Sequence, residues 1–201
     1  MRPTIGVLAL QGDFREHAHA LQVTGLCETT LVRSRSDLAH VHGLVIPGGE
    51  STAMSKLAVA FDVLEPIRQR IADGLPTYGS CAGMIMVARD VLDGRSDQHT
   101  FGGIDIVVRR NAFGRQVDSF EAELHAPLWG NEPMTAVFIR APWVEQCGSG
   151  VEVLARVESG PHAGSVVAVR ENSVMATSFH PELTSDNRVH SYFAQFVQQS
   201  A

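Results

Sequence analysis

The sequence predicts an α/β fold with three layers, in which helices cover both faces of a mainly parallel sheet and antiparallel strands are added in the second half. In the first half, short apolar segments alternate with helical patterns, as in successive β-α-β units. From residue 104 onwards, strand-like segments follow one another with few helices between them, which indicates antiparallel pairing. No repeat or linker divides the chain, so we expect one domain over residues 1–201.

The first half opens with a nearly continuous apolar run at residues 4–10, which is typical of a parallel strand buried on both faces. A helix is expected over 14–21, with Asp13 as its N-cap. The remaining predicted strands of this half span 29–32, 43–47 and 75–78, and the helices span 52–57, 63–71 and 82–89.

The second half is predicted to be rich in strands. A polar loop is expected at 90–99, and an amphipathic helix at 186–197 closes the chain. The strands between them are predicted at 104–108, 120–124, 135–139, 151–157, 166–169 and 174–178.

Composition excludes several functional classes. The chain has 201 residues, 44% of them apolar and 19% charged, which is ordinary for a globular protein with a sizeable core. A net charge of -6 without a Lys/Arg cluster argues against nucleic acid as a partner, and no apolar run is long enough to cross a membrane. The N-terminus also lacks a basic region followed by an apolar one and a cleavage site, so we expect a cytoplasmic protein. The three scattered cysteines suggest reduced thiols, without a disulfide framework or a zinc site.

Cys81 stands between two glycines, Gly79 and Gly83, where a strand is predicted to meet a helix. This pattern is typical of a nucleophile elbow, whose tight turn requires neighbours without a Cβ. The backbone N–H groups and the dipole of the following helix favour the thiolate over the thiol. The pattern also fits a buried structural cysteine, because cysteine is often fully buried.

A cysteine nucleophile needs a base and a group that orients that base. His180 and Glu182 follow a predicted strand, and residues two apart in extended structure share a face, so the carboxylate can hold the imidazole. Pro181 favours extended geometry at His180. The same three residues also fit an ordinary surface turn.

Three polar or glycine-rich turns fall at predicted strand ends: Gln11-Gly12, residues 48–52, and the elbow. In parallel sheets the carboxyl ends of strands meet at one crevice, so we expect these turns to converge there. The Gly49 and Ala82 N–H groups would then be able to stabilise an oxyanion, although Gly48-Gly49 also fits a simple turn.

Two histidine pairs resemble metal ligands only superficially. His17-x-His19 and His40-x-His42 lack further Cys, Asp or Glu residues at coordinating spacing, so we predict that both pairs face solvent.

These motifs together resemble class I glutamine amidotransferases, and within them the family of glutaminase subunits of pyridoxal phosphate synthases. G-x-C-x-G and His-x-Glu are shared by the superfamily, whereas LQG-x-x-REH and RN-x-FGRQVDSFE are specific to this family. The segments that carry the resemblance, in order, are LALQGDFREH (8–17), IPGGEST (46–52), GSCAGMI (79–85), RNAFGRQVDSFEAEL (110–124), FIRAP (138–142) and SFHPELTSDNRVH (178–190).

The resemblance implies a flavodoxin-like fold and a Cys-His-Glu triad formed by Cys81, His180 and Glu182. It implies hydrolysis of L-glutamine to glutamate and ammonia through a thioester, without a metal or an organic cofactor. The ammonia would pass to a separate synthase subunit that makes pyridoxal phosphate. Tyr78 and Ser80 replace the more common Phe and Thr before the cysteine, and neither change removes a group of the triad.

The resemblance also implies the residues that contact substrate and partner. Gln11 corresponds to a residue at the face that meets the synthase subunit. The residues that correspond to contacts with L-glutamine are Gly49, Glu50, Ser51, Arg110, Ile139 and Arg140.

Two other functions remain open from the sequence. A cysteine peptidase or chaperone of related fold usually has histidine directly after the nucleophile, and Ala82 argues against that class. A catalytically silent glutamine-sensing or scaffold subunit is disfavoured by the intact triad.

Overall fold

The computed structural model describes residues 2–110 and 119–200. The helices are α1 (Phe14–Thr24), α2 (Arg35–Leu38), α3 (Ser51–Ala60), α4 (Leu64–Ala72), α5 (Ala82–Val87) and α6 (Arg188–Ser200). The strands are β1 (Thr4–Leu8), β2 (Glu28–Val32), β3 (Gly43–Ile46), β4 (Thr77–Ser80), β5 (Ala88–Leu92), β6 (Ile104–Arg109), β7 (Ser119–Leu124), β8 (Met134–Ile139), β9 (Trp143–Cys147), β10 (Glu152–Arg156), β11 (Val166–Glu171) and β12 (Val174–Thr177). Short 3-10 turns lie at Pro127–Trp129 and Pro181–Leu183.

The main sheet is parallel on one side and mixed on the other. Its order is β2-β1-β3-β4-β12-β11-β9-β6-β5, and the first five of these strands run parallel. Strand β11 is antiparallel to β12, β9 and β10, and β9 is antiparallel to β6, while β7 and β8 form a separate antiparallel pair. The predicted α/β class with antiparallel additions in the second half is therefore confirmed.

Two apolar cores lie on the two faces of the sheet. Along β3, Leu44 and Ile46 join one core while Val45 joins the other, as the alternation of side chains in a strand requires. Helices α2 to α5 pack on the first core, and α1 and α6 pack on the second together with β7 and β8. Strands β1 and β3 are thus buried on both faces, which explains their nearly continuous apolar sequences.

Three elements were absent from the predicted order: α2, β5 and β9. The expected helix at 82–89 ends at Val87, and the expected loop at 90–99 begins inside β5. Strand β5 is the edge of the sheet, and its Arg89 and Asp90 are exposed, so its composition resembles that of a loop. In the part of the chain that the structure describes, no helix is long and apolar enough to cross a membrane.

The topology brings the predicted turns together. Strands β1, β3, β4 and β12 are neighbours and run parallel, so their carboxyl ends lie side by side at one edge of the sheet. Gln11 follows the first of these strands, the 48–52 turn the second, Cys81 the third and His180 the fourth. This edge forms the floor of the candidate site.

Candidate active site

A pocket of about 530 Å³ opens at this edge of the sheet. Predicted catalytic residues line this pocket together with predicted substrate contacts. The lining residues are Gln11, Asp13, Gly49, Glu50, Ser51, Cys81, Ala82, Ile85, Arg110, Ile139, Arg140, His180 and Leu183. Of the predicted site residues, only Glu182 is not in the lining, because it lies behind His180.

Cys81 has the strained backbone that a nucleophile elbow requires. Its φ of 48° and ψ of -102° lie outside the regions favoured for residues with a side chain, at a typical cost of about 1–3 kcal/mol. A Cβ on Gly83 would collide with the carbonyl of Ile46, so the turn depends on glycine there. The Cys81 N–H donates to the Thr177 carbonyl at 2.8 Å, which fixes the elbow to β12.

The Cys81 side chain faces the pocket next to the end of β8. Its Sγ lies 3.9 Å from the carbonyl oxygen of Ile139. Arg140, directly after that strand, has a φ of 44°, so a second lining residue adopts left-handed backbone.

His180 and Glu182 form a buried pair. Nδ1 of His180 lies 2.7 Å from Oε1 of Glu182, which leaves Nε2 as the ring nitrogen available to the cysteine. The His180 N–H donates to the Val137 carbonyl at 2.9 Å, so β8 holds the base in position. Burial lowers the pKa of His180, but Cys81 and Glu182 outweigh it and raise the pKa to about 10. Burial raises the pKa of Glu182, but the hydrogen bond with His180 and the positive charge of that imidazole hold the pKa at about 2.

The Gly48-Gly49 turn is held by the residues that follow β1. The Asp13 N–H donates to the Gly48 carbonyl at 3.2 Å, and the Glu50 N–H donates to Oε1 of Gln11 at 2.7 Å. Gly49 has a φ of 142°, and a Cβ there would collide with the Gln11 side chain. Because the peptide is trans, the Gly49 N–H points away from the carbonyl that Asp13 binds.

Glu50 and Arg110 form the opposite side of the pocket. The Glu50 carboxylate accepts from the Thr52 and Ala53 N–H groups at 3.0 and 2.7 Å, which caps α3. Arg110 donates to Oε1 of Glu50 at 3.0 Å. Burial raises the pKa of Glu50, but these backbone and guanidinium donors bring it below its ordinary value.

Gln98 contacts Arg110 and was not identified from the sequence as a site residue. Its Oε1 accepts from Arg110 at 2.8 Å and from the Thr52 hydroxyl at 3.2 Å, and its amide donates to the Ser51 hydroxyl at 3.2 Å. Gln98 therefore connects three residues around the predicted substrate contacts. It lies in a polar segment without periodicity, so no local signal distinguishes it.

The prediction for the histidine pairs was wrong at one position. His17 is fully buried on α1, whereas His19, His40 and His42 are exposed as predicted. The helical spacing of His17 with Ala20 and Leu21, which are also buried, is the signal that places it on the inner face.

Asp13 is the N-cap residue of α1, but its side chain does not form the expected capping bond. Its Oδ2 lies 3.7 Å from Nδ1 of His180 instead. Oxygen and nitrogen atoms of Asp13, His180 and Glu182 lie within 4.8 Å of one another, a spacing that also suits a metal ion. His180 and Glu182 already hydrogen-bond to each other, so this group does not offer a set of free ligands.

Comparison with known proteins decides the family. The SNO glutamine amidotransferase family matches residues 7–199. The chain belongs to this family. It is 59% identical to a pyridoxal 5'-phosphate synthase subunit PdxT of Salinispora tropica, over 98% of this chain and 97% of that protein. It is 59% identical to the protein of the same name from Nocardia farcinica, over 98% of this chain and 87% of the relative.

A solved structure supports the same assignment to the SNO glutamine amidotransferase family. It is described as a glutamine amidotransferase, is 44% identical and superimposes with a TM-score of 0.87 over 96% of this chain and 98% of that one. Residues 111–118 of the family-specific motif at 110–124 lie outside the described residues.

Proposed function

We propose that this chain hydrolyses the side-chain amide of L-glutamine to L-glutamate and ammonia, and supplies the ammonia to a synthase subunit that makes pyridoxal 5'-phosphate. The observation that carries the proposal is the meeting of Cys81, on its strained elbow, with the buried His180–Glu182 pair at the wall of one pocket. Membership of the glutamine amidotransferase family supports the substrate, and the names of the relatives support the pathway.

Cys81, His180 and Glu182 act as a catalytic triad. The Cys81 thiolate attacks the amide carbon of glutamine, and the carbon–nitrogen bond breaks as His180 gives its proton to the leaving ammonia. The product is a glutamyl thioester on Cys81. His180 then takes a proton from water, the hydroxide attacks the thioester carbon, and the carbon–sulfur bond breaks to release glutamate. Glu182 holds the imidazole in the required tautomer and stabilises its charged form.

The Gly49 and Ala82 N–H groups stabilise the oxyanion in both steps. Ala82 is the first residue of α5, and both Ala82 and Gly49 line the pocket. Each donor of this kind is worth roughly 10²- to 10³-fold in rate. The metal-free chemistry implied by the resemblance needs no further group.

Other residues that line the pocket recognise the amino-acid end of glutamine. Arg110 and Arg140 provide positive charge, the Ile139 carbonyl is an acceptor, and Gly49, Glu50 and Ser51 form the adjoining turn. These charges and acceptors match the α-carboxylate and α-ammonium groups of a free amino acid. A peptide substrate lacks both groups at an internal glutamine.

The synthase subunit docks against Gln11 and its surroundings and adjusts the Gly48-Gly49 turn. Gln11 binds the Glu50 N–H directly, so a partner that contacts Gln11 acts on the turn through one hydrogen bond. A shift of the active conformer from about 1% to 99% needs roughly 5.5 kcal/mol of differential binding. The cytoplasmic location, the single domain and the lack of nucleic-acid or membrane partners stay predictions.

The alternative is a catalytically silent glutamine-sensing subunit. The strained backbone at Cys81 and the charged pair behind it are costly features that glutamine binding alone does not require. Hydrolysis is therefore the favoured function.

Replacement of the nucleophile tests the proposal. Cys81→Ala should abolish glutamate release by the chain mixed with its synthase partner, while the circular dichroism spectrum stays that of the wild type. Cys147→Ala, at an exposed thiol, is the matched control and should retain activity. Mass spectrometry after treatment with an alkylating glutamine analogue should find the label on Cys81. Label on Cys27 or Cys147 instead would refute the assignment.

A further inference from the structure

Two buried histidines lie behind the triad, and neither of them lines the pocket. His17 on α1 and His190 on α6 are both fully buried, and Nδ1 of the first lies 2.9 Å from Nε2 of the second. Nε2 of His17 lies 3.2 Å from Oε2 of Glu182 but is not in hydrogen-bonding geometry with it. The ring of Tyr78 packs edge-on against both imidazoles, at 6.0 and 6.2 Å between centroids.

The Glu182 carboxylate needs a partner for each oxygen. Its side chain is fully buried, and a buried carboxylate without partners is strongly destabilising. Oε1 faces His180, whereas Oε2 faces the Ser80 hydroxyl at 3.4 Å and His17 at 3.2 Å. His17 is the nearer of the two groups at Oε2.

The carboxylate determines which nitrogen of His17 carries the proton. Burial lowers the pKa of His17, and burial lowers the pKa of His190 to about 3, so both rings are neutral at neutral pH and each has one N–H. A lone pair on Nε2 of His17 would face Oε2 of Glu182 and repel it. The proton therefore lies on Nε2, and Nδ1 accepts from Nε2–H of His190.

The other ring nitrogen of His190 is consistent with that arrangement. It leaves Nδ1 of His190 as an acceptor, and within residues 2–110 and 119–200 that atom has no hydrogen-bond partner. A buried acceptor without a partner is tolerated better than a buried N–H without one. The reverse arrangement would place the N–H of His190 where no acceptor lies, whereas the arrangement chosen here places the N–H of His17 3.2 Å from a charged carboxylate oxygen, although not in line with it.

We propose that His17 is a positioning residue of the triad: it holds Glu182 in the orientation that meets Nδ1 of His180, and His190 fixes the tautomer in which His17 does so. The inference rests on the proposed function, because it assigns Glu182 to the triad. His17 does not line the pocket, so its effect belongs to kcat and not to KM.

Two variants at position 17, assayed for glutamate release by the chain with its synthase partner, test the role. His17→Leu removes the donor, and we expect kcat to fall about ten-fold or more with KM nearly unchanged. His17→Gln places an amide N–H close to the position of Nε2, and we expect it to recover most of the activity. Equal losses in the two variants, or wild-type kcat in His17→Leu, would overturn the proposal.

A measurement on the wild-type chain does not depend on variants that fold. Long-range ¹H–¹⁵N correlation spectra of the ¹⁵N-labelled protein at neutral pH report the tautomer of each histidine. We expect the Nε2–H form for both His17 and His190, and an Nδ1–H form at His17 would contradict the proposal. The spectra do not require turnover, so an inactive wild-type chain would count against the proposed function and leave this test intact.

Discussion

The two sides of the pocket are built differently. The triad side, formed by Cys81, His180 and Glu182, is buried: the His180 side chain is 5% exposed and that of Glu182 is 0% exposed. The loop side, formed by Gly49, Glu50, Gln98 and Arg110, is more exposed: the Glu50 side chain is 53% exposed and the Arg110 side chain 16%. One side is thus a permanent part of the core, and the other is a set of hydrogen bonds at the surface.

We infer from this difference that the buried side carries out the reaction, whereas the loop side is where the synthase regulates activity. A charged pair in a buried, low-dielectric environment keeps its geometry, because each partner becomes costly once the other moves. Hydrogen bonds near the surface exchange readily with water or with a partner protein, since each contributes little net stability. We therefore expect the triad to be formed in the isolated chain and the loop side to depend on the synthase.

The largest effect is expected on the triad side. Glu182→Gln removes the charge that supports the raised pKa of His180, so kcat should fall by roughly 10²- to 10⁴-fold, with a smaller change in KM. Steady-state glutaminase kinetics with the partner present measure this split. Ser80→Ala is the matched control, because its hydroxyl lies 3.4 Å from the other carboxylate oxygen, and it should change kcat only a few-fold. Normal turnover in Glu182→Gln would remove this residue from the triad.

A smaller effect is expected from the loop side. Gly49→Ala forces a Cβ onto a φ of 142° and against the Gln11 side chain, so the turn must move and misplace its N–H. We expect kcat/KM to fall by roughly 10²- to 10³-fold in the complex with the synthase. Gly25→Ala also changes a positive-φ glycine, but into open space, and should leave catalysis unchanged. Wild-type kcat/KM in the Gly49 variant would show that the turn does not supply the oxyanion donor.

The smallest effect is expected at Gln98. Gln98→Ala removes one acceptor from Arg110, which keeps its contact with Glu50, so KM for glutamine should rise about two- to ten-fold while kcat stays near the wild-type value. Arg95→Ala, in an exposed ion pair with Asp97 on the same segment, should have no effect. A loss of kcat with unchanged KM would place Gln98 with the triad instead.

Most of the site could be predicted from short local sequence patterns. The elbow could be predicted because glycines lie two residues before and two residues after Cys81, and the His180–Glu182 pair because the two residues are only two positions apart. The apolar runs of β1 and β3 are buried on both faces, and this burial gave them their strand signal.

Contacts between distant segments could not be predicted from the sequence. His17 and His190 are 173 residues apart, and their pairing depends on how α1 and α6 pack on the same core. Each histidine does lie on the buried stripe of its helix, as the spacing of His190 with Phe193, Ala194 and Val197 shows. The spacing reveals burial but not the partner, which is why Glu182 could not be connected to them.

The measurement that tests the central claim most directly is the rate of glutamate release by the wild-type chain with and without its synthase partner, alongside Gln11→Ala. The two-sided pocket predicts weak activity alone, strong stimulation by the synthase, and loss of much of that stimulation in Gln11→Ala, because the Gln11 side chain binds the Glu50 N–H of the loop. Equal turnover of the wild-type chain with and without the synthase would contradict the claim that the loop side is completed by the partner.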